Sequence, residues 1–506
     1  GKRLMRDRSY ELDRFPVYDE GFFGFRMVGT HHVYSNFRVH ALDPAPREVA
    51  VSSIAELREA MGRSNQRVTM KPGIYTVEDL VESRAGFHLS GSHNHFDLSG
   101  VSIRMPISTL SKQERRGRRG RRGATTFLIS GDHVTVAGCK FENIYREQRG
   151  EITDFGRYNQ ISANYPASGA NEMRIQGDDI QILDCRFTVR GSSPYGYGNI
   201  YGIGGGAVVP LRKHCGIQIS GDRITIDRCQ VKMEAFGHAI YVQGGDQVTI
   251  RNTEVEGEVR PSNDLYQETD KGDLARKFDY KIRWPESVRG LPIPRDHMIN
   301  LMEDGIRAYQ GTGHMTVENC KVTKARGGIK LYMAKSATVS DCEVRDCVIQ
   351  GYSLPSRGSI TRSRGNAAYG PLLYVHGDSH SSQKIDLEIL PSPHGLGDHP
   401  LAAIKGRGHR IRFTSKNPAA EETLRPIIIG YPLRFDFLSI DFPDVPEGYE
   451  EHFEKFAPER YRASAITLEN DTTYPVVLGK LAQGNRISTR GTVRDLGTEN
   501  TISSQP

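Results

Sequence analysis

The sequence predicts an all-β solenoid: a single-stranded parallel β-helix with a capping helix at its N-terminal end and long loops inserted between coils. Three observations carry that expectation. A short strand–bend–strand phrase recurs along the chain, five cysteines occupy one fixed position of that phrase, and the composition is rich in glycine but holds a single tryptophan.

The composition sets the bounds. Of 506 residues, 53 are Gly and 37% are apolar, below the ~45–50% of an ordinary globular chain. Many short strands and turns suit that profile better than a helical bundle does. No run of ~20 apolar residues is present, which excludes a membrane-spanning helix, and the periodic β-branched segments exclude a disordered chain. Net charge is +6, from 67 basic and 61 acidic residues. Much of the excess is one stretch, Arg115, Arg116, Arg118, Arg119, Arg121 and Arg122, interleaved with Gly. It lacks the aromatic residues of a nucleic-acid platform, so no nucleic-acid partner is expected. No signal peptide is read in the chain.

The recurring phrase reads VTVAGCKF at 134–141, IQILDCRF at 180–187, ITIDRCQV at 224–231, VTIRNTEV at 248–255, MTVENCKV at 315–322 and ATVSDCEV at 337–344. Apolar and polar residues alternate with period two, as in a strand; a polar pair then bends the chain and a second short strand follows. The closest copies lie 22 to 24 residues apart, a repeat without helical period that marks a solenoid. Leucine-rich repeats lack their Leu/Asn framework here, and a propeller blade needs about 40 residues. A parallel β-helix remains, with coils about 4.8 Å apart and about twelve rungs between residues 66 and 490. Cys139, Cys185, Cys229, Cys320 and Cys342 share one position of the phrase, and Thr253 fills it in a sixth copy. An odd total of seven cysteines without a CxxC points to an internal ladder of small side chains rather than disulfides or a metal cluster.

At the N-terminal end, residues 52–77 read as a helix capped by Ser53, with Ile54, Leu57 and Met61 as its apolar face, then a strand and a Pro-Gly turn. A helix there covers the first coil's open edge. The expected organisation is an N-terminal segment with the capping helix (1–65), the β-helix proper (66–384), and less regular C-terminal coils and cap (385–506). With this N-terminal pattern and the coils that follow, about residues 50–380 resemble the right-handed parallel β-helix superfamily of carbohydrate-active enzymes. That superfamily includes pectate lyases, chondroitinase B-like lyases and several glycosidases.

Three long insertions interrupt the coils: 143–172, 189–214, rich in Tyr and Gly, and 256–303, which holds Trp284. Such loops suit the walls of a groove. The GIGGG run in the second does not lead from a strand into a helix, so it is not read as a phosphate loop.

The strand before each phrase supplies the face those loops would enclose. It reads GIQIS at 216–220, AIYVQ at 239–243, GIRAY at 305–309 and GIKLY at 328–332. With Ile217, Ile240, Ile306 and Ile329 pointing inward, one outward column holds Gln218, Tyr241, Arg307 and Lys330, and the next holds Ser220, Gln243, Tyr309 and Tyr332. His238 and Asp304 lie at the entrance bends. Tyr rings stack on sugars and keep a hydroxyl for hydrogen bonds, while Arg and Lys on adjacent coils hold a carboxylate.

Two reactions fit. A polysaccharide lyase acting on an acidic, uronic-acid-containing polymer removes the proton beside the carboxylate and expels the C4 oxygen. It needs cations on the carboxylate and a base and an acid near neutral pH. Arg307 and Lys330 fill the first role; Tyr241, Tyr309, Tyr332 or His238 the second. Gln218, Gln243, Tyr332 and Trp284 would bind substrate. The resemblance to chondroitinase B-like and alginate lyases implies a Lys and an Arg on adjacent coils. Here the order is Arg then Lys. Calcium enters only through that resemblance, whose Asn/Glu ligands are not recognisable in this chain; no other cofactor is implied. A glycoside hydrolase would instead pair Asp304 with Asp296, Asp264 or Glu303. A non-catalytic glycan-binding β-helix is the third reading. A polysaccharide substrate implies a secreted or periplasmic protein.

Overall fold

Each copy of the repeated phrase forms two short strands joined by one bend, for example Val134–Ala137 with Lys140–Ile144, and His314–Glu318 with Lys321–Thr323. The computed structural model describes residues 45–111, 124–145, 155, 158–159, 170–197, 212–267, 280–281, 290, 292–377, 379–392, 395–397, 399–416, 425–431 and 461–505. Trp284, the Arg/Gly run and much of each long insertion lie outside them.

The bend explains the phrase. The residue before each cysteine-type position has positive φ: Gly138, Asp184, Arg228, Asn252, Asn319 and Asp341, between 48° and 77°. Glycine enters that region freely, and Asn and Asp more readily than other residues. The small side chain that follows turns back onto the chain. The thiols of Cys185 and Cys342 donate to the carbonyls of Leu183 and Ser340 at 3.3 and 3.2 Å, and the hydroxyl of Thr253 donates to Arg251 at 2.8 Å. A large side chain would have no room there, because the same position recurs one coil away.

Successive coils pair in parallel without losing register. Val136, Ile182, Ile226, Ile250, Val317 and Val339 stand opposite one another in turn, all fully buried. Phe141 and Phe187 stack at 5.0 Å. Among the described residues the phrase strands build a 23-stranded sheet and the strands preceding them a 13-stranded sheet, so the fold is the parallel β-helix expected; twelve strands of the latter fall within residues 66–490 and the last, Val493–Asp495, lies beyond. The same ladder continues through Lys384–Ile389, Arg410–Thr414, Thr467–Asn470 and Arg486–Thr489. The helix Ile54–Met61 forms as predicted, with the Ser53 side chain accepting from the Glu56 N–H and with Leu57, Ala60 and Met61 buried. A further strand, Arg47–Val51, precedes it and pairs with Gln66–Met70. Among the described residues no helix is long and apolar enough to cross a membrane.

All seven cysteines are buried and unbridged, and burial pushes the Cys347 thiol up to about 12. The thiolate is the reactive form. A thiol reagent should therefore label the native protein slowly at neutral pH, with all seven reacting once denaturant unfolds the coils. Fast native labelling of Cys185, Cys229 or Cys320 would contradict the ladder.

Candidate active site

The 13-stranded sheet carries the candidate site on its outer side. Gln218, Tyr241, Arg307 and Lys330 stand opposite one another in successive strands, and Ser353 continues the column. Strict alternation would send Asp304 inward with Ile306 and Ala308. A kink at Gly305 prevents this: a Cβ there would meet Val322 in the core, so two consecutive positions face in, and Asp304 and Arg307 share the outer side. Gly327 leaves the necessary room, since a Cβ would come within 2.8 Å of Asp304 Oδ1 and 3.2 Å of Lys330 Cδ.

Asp304 is the hub. Arg326 clamps it with two hydrogen bonds, Nε to Oδ1 at 2.9 Å and Nη2 to Oδ2 at 2.7 Å. Arg307 Nε lies 3.7 Å from Oδ2 and Lys330 Nζ 3.9 Å from Oδ1. Glu303 beside it takes Arg326 Nη1 at 3.2 Å and Lys213 Nζ at 2.7 Å. The ribbon that closes the base of the longest insertion, Val259–Pro261 against Met298–Asn300, feeds directly into these two acids. Against the burial that opposes it, Arg326, Lys330 and Arg307 hold Asp304 well below the usual carboxylate range. His238, Arg326 and Lys213 likewise hold Glu303 at about 2.

His238 links the acids to a phenol. Its Nδ1 accepts the backbone N–H of Asp304 at 3.3 Å, which assigns the single proton of the neutral ring to Nε2. That nitrogen lies 2.6 Å from Tyr309 Oη. Burial keeps the imidazole neutral down to about 4, although Glu303 and Asp304 pull the other way. Burial, with the Glu303 charge, raises Tyr309 to about 12. Tyr241 donates to Asn171 Oδ1 at 2.7 Å. Asn171 and Arg174 both donate to Gln218 Oε1, at 3.1 and 3.0 Å, and Gln218 donates to Gln243 at 3.0 Å.

This outward face is largely closed off from water. Tyr241, Arg307 and Lys330 are 8%, 5% and 9% exposed, because aromatic rings close over the cations. The Arg307 guanidinium lies 4.9 Å from the Tyr309 ring and 4.8 Å from that of Tyr332. It donates to Tyr332 Oη at 3.2 Å, while His376 stacks on Tyr332 at 3.6 Å. Tyr332 thus holds Arg307. Burial, reinforced by Arg326 and Arg307, lowers Lys330 to about 7 despite Asp304.

Several neighbours escaped the sequence reading. Arg326 precedes its strand by one residue and shows no periodic signal. Lys213 lies at the edge of an insertion. Gln350 and Ser353 belong to the next coil, opposite Gly327 and Lys330, and aligning VIQGYSL under GGIKLY would have found them. An inward Tyr352, where the other coils carry Ile, hides that register. Buried polar atoms without partners gather here: Arg307 Nε and Nη1, Gln350 Nε2 and Ser353 Oγ. Of the other candidates, Asp296 is bonded to Asn263 and Asp264 lies 4.0 Å from Arg260; Trp284 lies outside the described residues. Calcium does not fit this centre, because Arg326 and Lys213 already occupy the carboxylates and two more cations stand against them.

No protein-family model matches the sequence, and no curated protein does either. Similarity to solved structures is confined to the coiled architecture. A polygalacturonase from Erwinia carotovora is 9% identical with a TM-score of 0.35, covering 93% of this chain and 98% of that one. A mannuronic acid specific polysaccharide family 6 lyase from human gut microbiota is 8% identical with a TM-score of 0.40, covering 91% of each. PfbA, a surface adhesin of Streptococcus pneumoniae, is 11% identical with a TM-score of 0.34, covering 89% of each chain.

Proposed function

We propose that the protein is a polysaccharide lyase that cleaves an acidic, uronic-acid-containing polymer by β-elimination at Arg307 and Lys330. One observation carries this reading. Four basic side chains, Lys213, Arg307, Arg326 and Lys330, face two carboxylates, and Arg307 Nε and Nη1 donate hydrogen bonds to nothing. A buried guanidinium edge without an acceptor costs about 1–3 kcal/mol or more, and a substrate carboxylate is its natural partner.

The roles follow from the electrostatics. The Arg307 guanidinium neutralises the carboxylate, which makes the adjacent C5 proton acidic. Lys330, lowered to about 7, is substantially neutral at neutral pH and suits a general base, whose pKa works best near the operating pH. Its Nζ takes the C5 proton, the C–H electrons form the C4–C5 double bond, and the C4–O bond breaks. The departing oxygen takes the Tyr309 proton, and His238 Nε2–H, 2.6 Å from that phenol, steadies the phenolate. Solvent then returns a proton to Tyr309 and removes one from Lys330. The hydrolase alternative needs one protonated carboxyl, whereas Glu303 and Asp304 are both held ionised.

The test is a panel of acidic polysaccharides read for the ultraviolet absorbance of an unsaturated uronate and, in parallel, for new reducing ends. Both signals together are expected. Reducing ends without absorbance would establish the hydrolase, and neither signal with measurable binding the adhesin. The pH profile is a further prediction. Since Lys330 must be neutral to act, kcat/KM should climb with pH through about 7, falling about tenfold per pH unit below it. A profile flat from pH 5 to 8 would remove Lys330 as base.

A further inference from the structure

The coil after Lys330 continues the site with groups that the reaction above does not use. The kink at Gly305 recurs at Gly328 and Gly351, which stand opposite it in register on the next two coils. A Cβ there would come within 2.8 and 3.1 Å of the Val344 side chain in the core. Gln350 therefore faces outward as Asp304 does, beside Ser353, which follows Arg307 and Lys330 in the outer column. Gln350 and Ser353 are 1% and 0% exposed, yet Gln350 Nε2 and Ser353 Oγ have no hydrogen-bond partner. The amide is nonetheless held in place. His376 Nε2 lies 3.0 Å from Gln350 Oε1, and its ring stacks on Tyr332 at 3.6 Å. Burial keeps the imidazole neutral; its Nε2–H donates to Oε1, which leaves the amide N–H groups without an acceptor. Leaving a buried donor unpaired is costly, and native structures seldom do so without a use for it. Two such donors, both uncharged, stand on one side of the base.

The geometry of the elimination defines what they meet. Besides the departing proton, C5 of a uronate carries three bonds: to the carboxylate, to C4 and to the ring oxygen. Arg307 takes the carboxylate and Tyr309 the C4 oxygen, and both belong to the coil before Lys330. With those two bonds directed to one side of Lys330, the third points to the other, over Ser353 and Gln350. The ring oxygen there and the C1 linkage oxygen next to it accept hydrogen bonds and have no hydrogen to give, so they match uncharged donors. We propose that Gln350 and Ser353 are binding residues for the reacting sugar, donating from Nε2 and Oγ to its ring oxygen and C1 linkage oxygen and so holding C5 within reach of Lys330. This rests on the elimination reading of Arg307, Lys330 and Tyr309. Neither oxygen gains charge as the C4–C5 double bond forms, so the two contacts hold substrate and transition state alike.

The experiment is calorimetric titration of the full chain carrying Lys330→Ala, which leaves ligands uncleaved. The probes are (1→4)-linked hexasaccharides of galacturonate and of mannuronate, at least one of which should bind. Adding Ser353→Ala or Gln350→Met should weaken that binding about fivefold each, the worth of one hydrogen bond between neutral groups. Stability separates contact from folding. Ser353→Ala removes no hydrogen bond from the free protein, so its denaturant midpoint should equal or exceed that of its parent, whereas loss of a structural serine would lower it. In chains that keep Lys330, the same substitutions should raise KM and spare kcat. Unchanged affinity in both variants, a loss confined to kcat, or no binding of either hexasaccharide would overturn the assignment. The chemistry is judged separately. Weakened binding in the variants beside a wild-type chain that releases no unsaturated product would defeat the elimination and leave the two residues as sugar-binding donors. Unsaturated product from the wild type with unchanged affinity in the variants would do the reverse.

Discussion

Arg307→Ala should lower kcat/KM on the cleaved polymer by roughly 100-fold or more, the usual loss when a buried donor to developing negative charge is removed. The reason is positional. Its Nε and Nη1 are charged donors without hydrogen-bond partners, and the neighbouring guanidinium, Arg326, is already spent on Asp304 and Glu303. Lys330 cannot substitute, because it must be neutral to take the proton. Lys330→Arg should be as inactive as Lys330→Ala, since it restores charge without a base. The loss should fall mainly on kcat, because the charge develops in the transition state. An Arg307→Ala enzyme of near-normal kcat beside a dead Asp304→Asn enzyme would reverse the assignment in favour of hydrolysis. Steady-state kinetics with both variants on one polymer decide it.

Arg326→Ala should destabilise the fold by about 3–5 kcal/mol, because breaking a buried ion pair leaves uncompensated charge. Asp304 is 0% and Glu303 3% exposed, and Arg326 bonds both. Denaturant titration with the slope held fixed measures the loss. A pH dependence identifies its electrostatic part. Glu303 has a folded pKa of about 2 against an ordinary 4.5. A lowered carboxyl pKa contributes stability that is fully present above the unfolded value and is lost as pH falls through the folded one. Wild-type stability should thus decline between about pH 4.5 and pH 2, and the decline should be shallower in Arg326→Ala. An unchanged slope would mean that Arg326 acts by packing alone. Asp304→Asn breaks the same clamp from the other side, so its loss of activity has to be read beside its stability.

Repetition made the fold legible. The period-two strands, the positive-φ bend and the cysteine-type position are local properties, written into the VTVAGCKF-like phrase and copied coil after coil. The Arg307–Lys330 column was legible for the same reason, because parallel register carries one coil's outward position onto the next. Burial and charge state were not. That Lys330 loses its proton near neutrality while Asp304 keeps its charge depends on Arg326, Tyr309, Tyr332 and His376, which reach the site from different coils or from bends between strands. The sequence by itself determined which side chains leave the sheet in which column. Only the tertiary structure decided that a kink at Gly305 brings Asp304 among them, that Arg326 neutralises it, and that aromatic rings take Arg307 and Lys330 out of water. Alternation is fixed by the backbone of a few consecutive residues, whereas desolvation and ion pairing sum over every group packed within a few ångströms, whatever its distance along the chain.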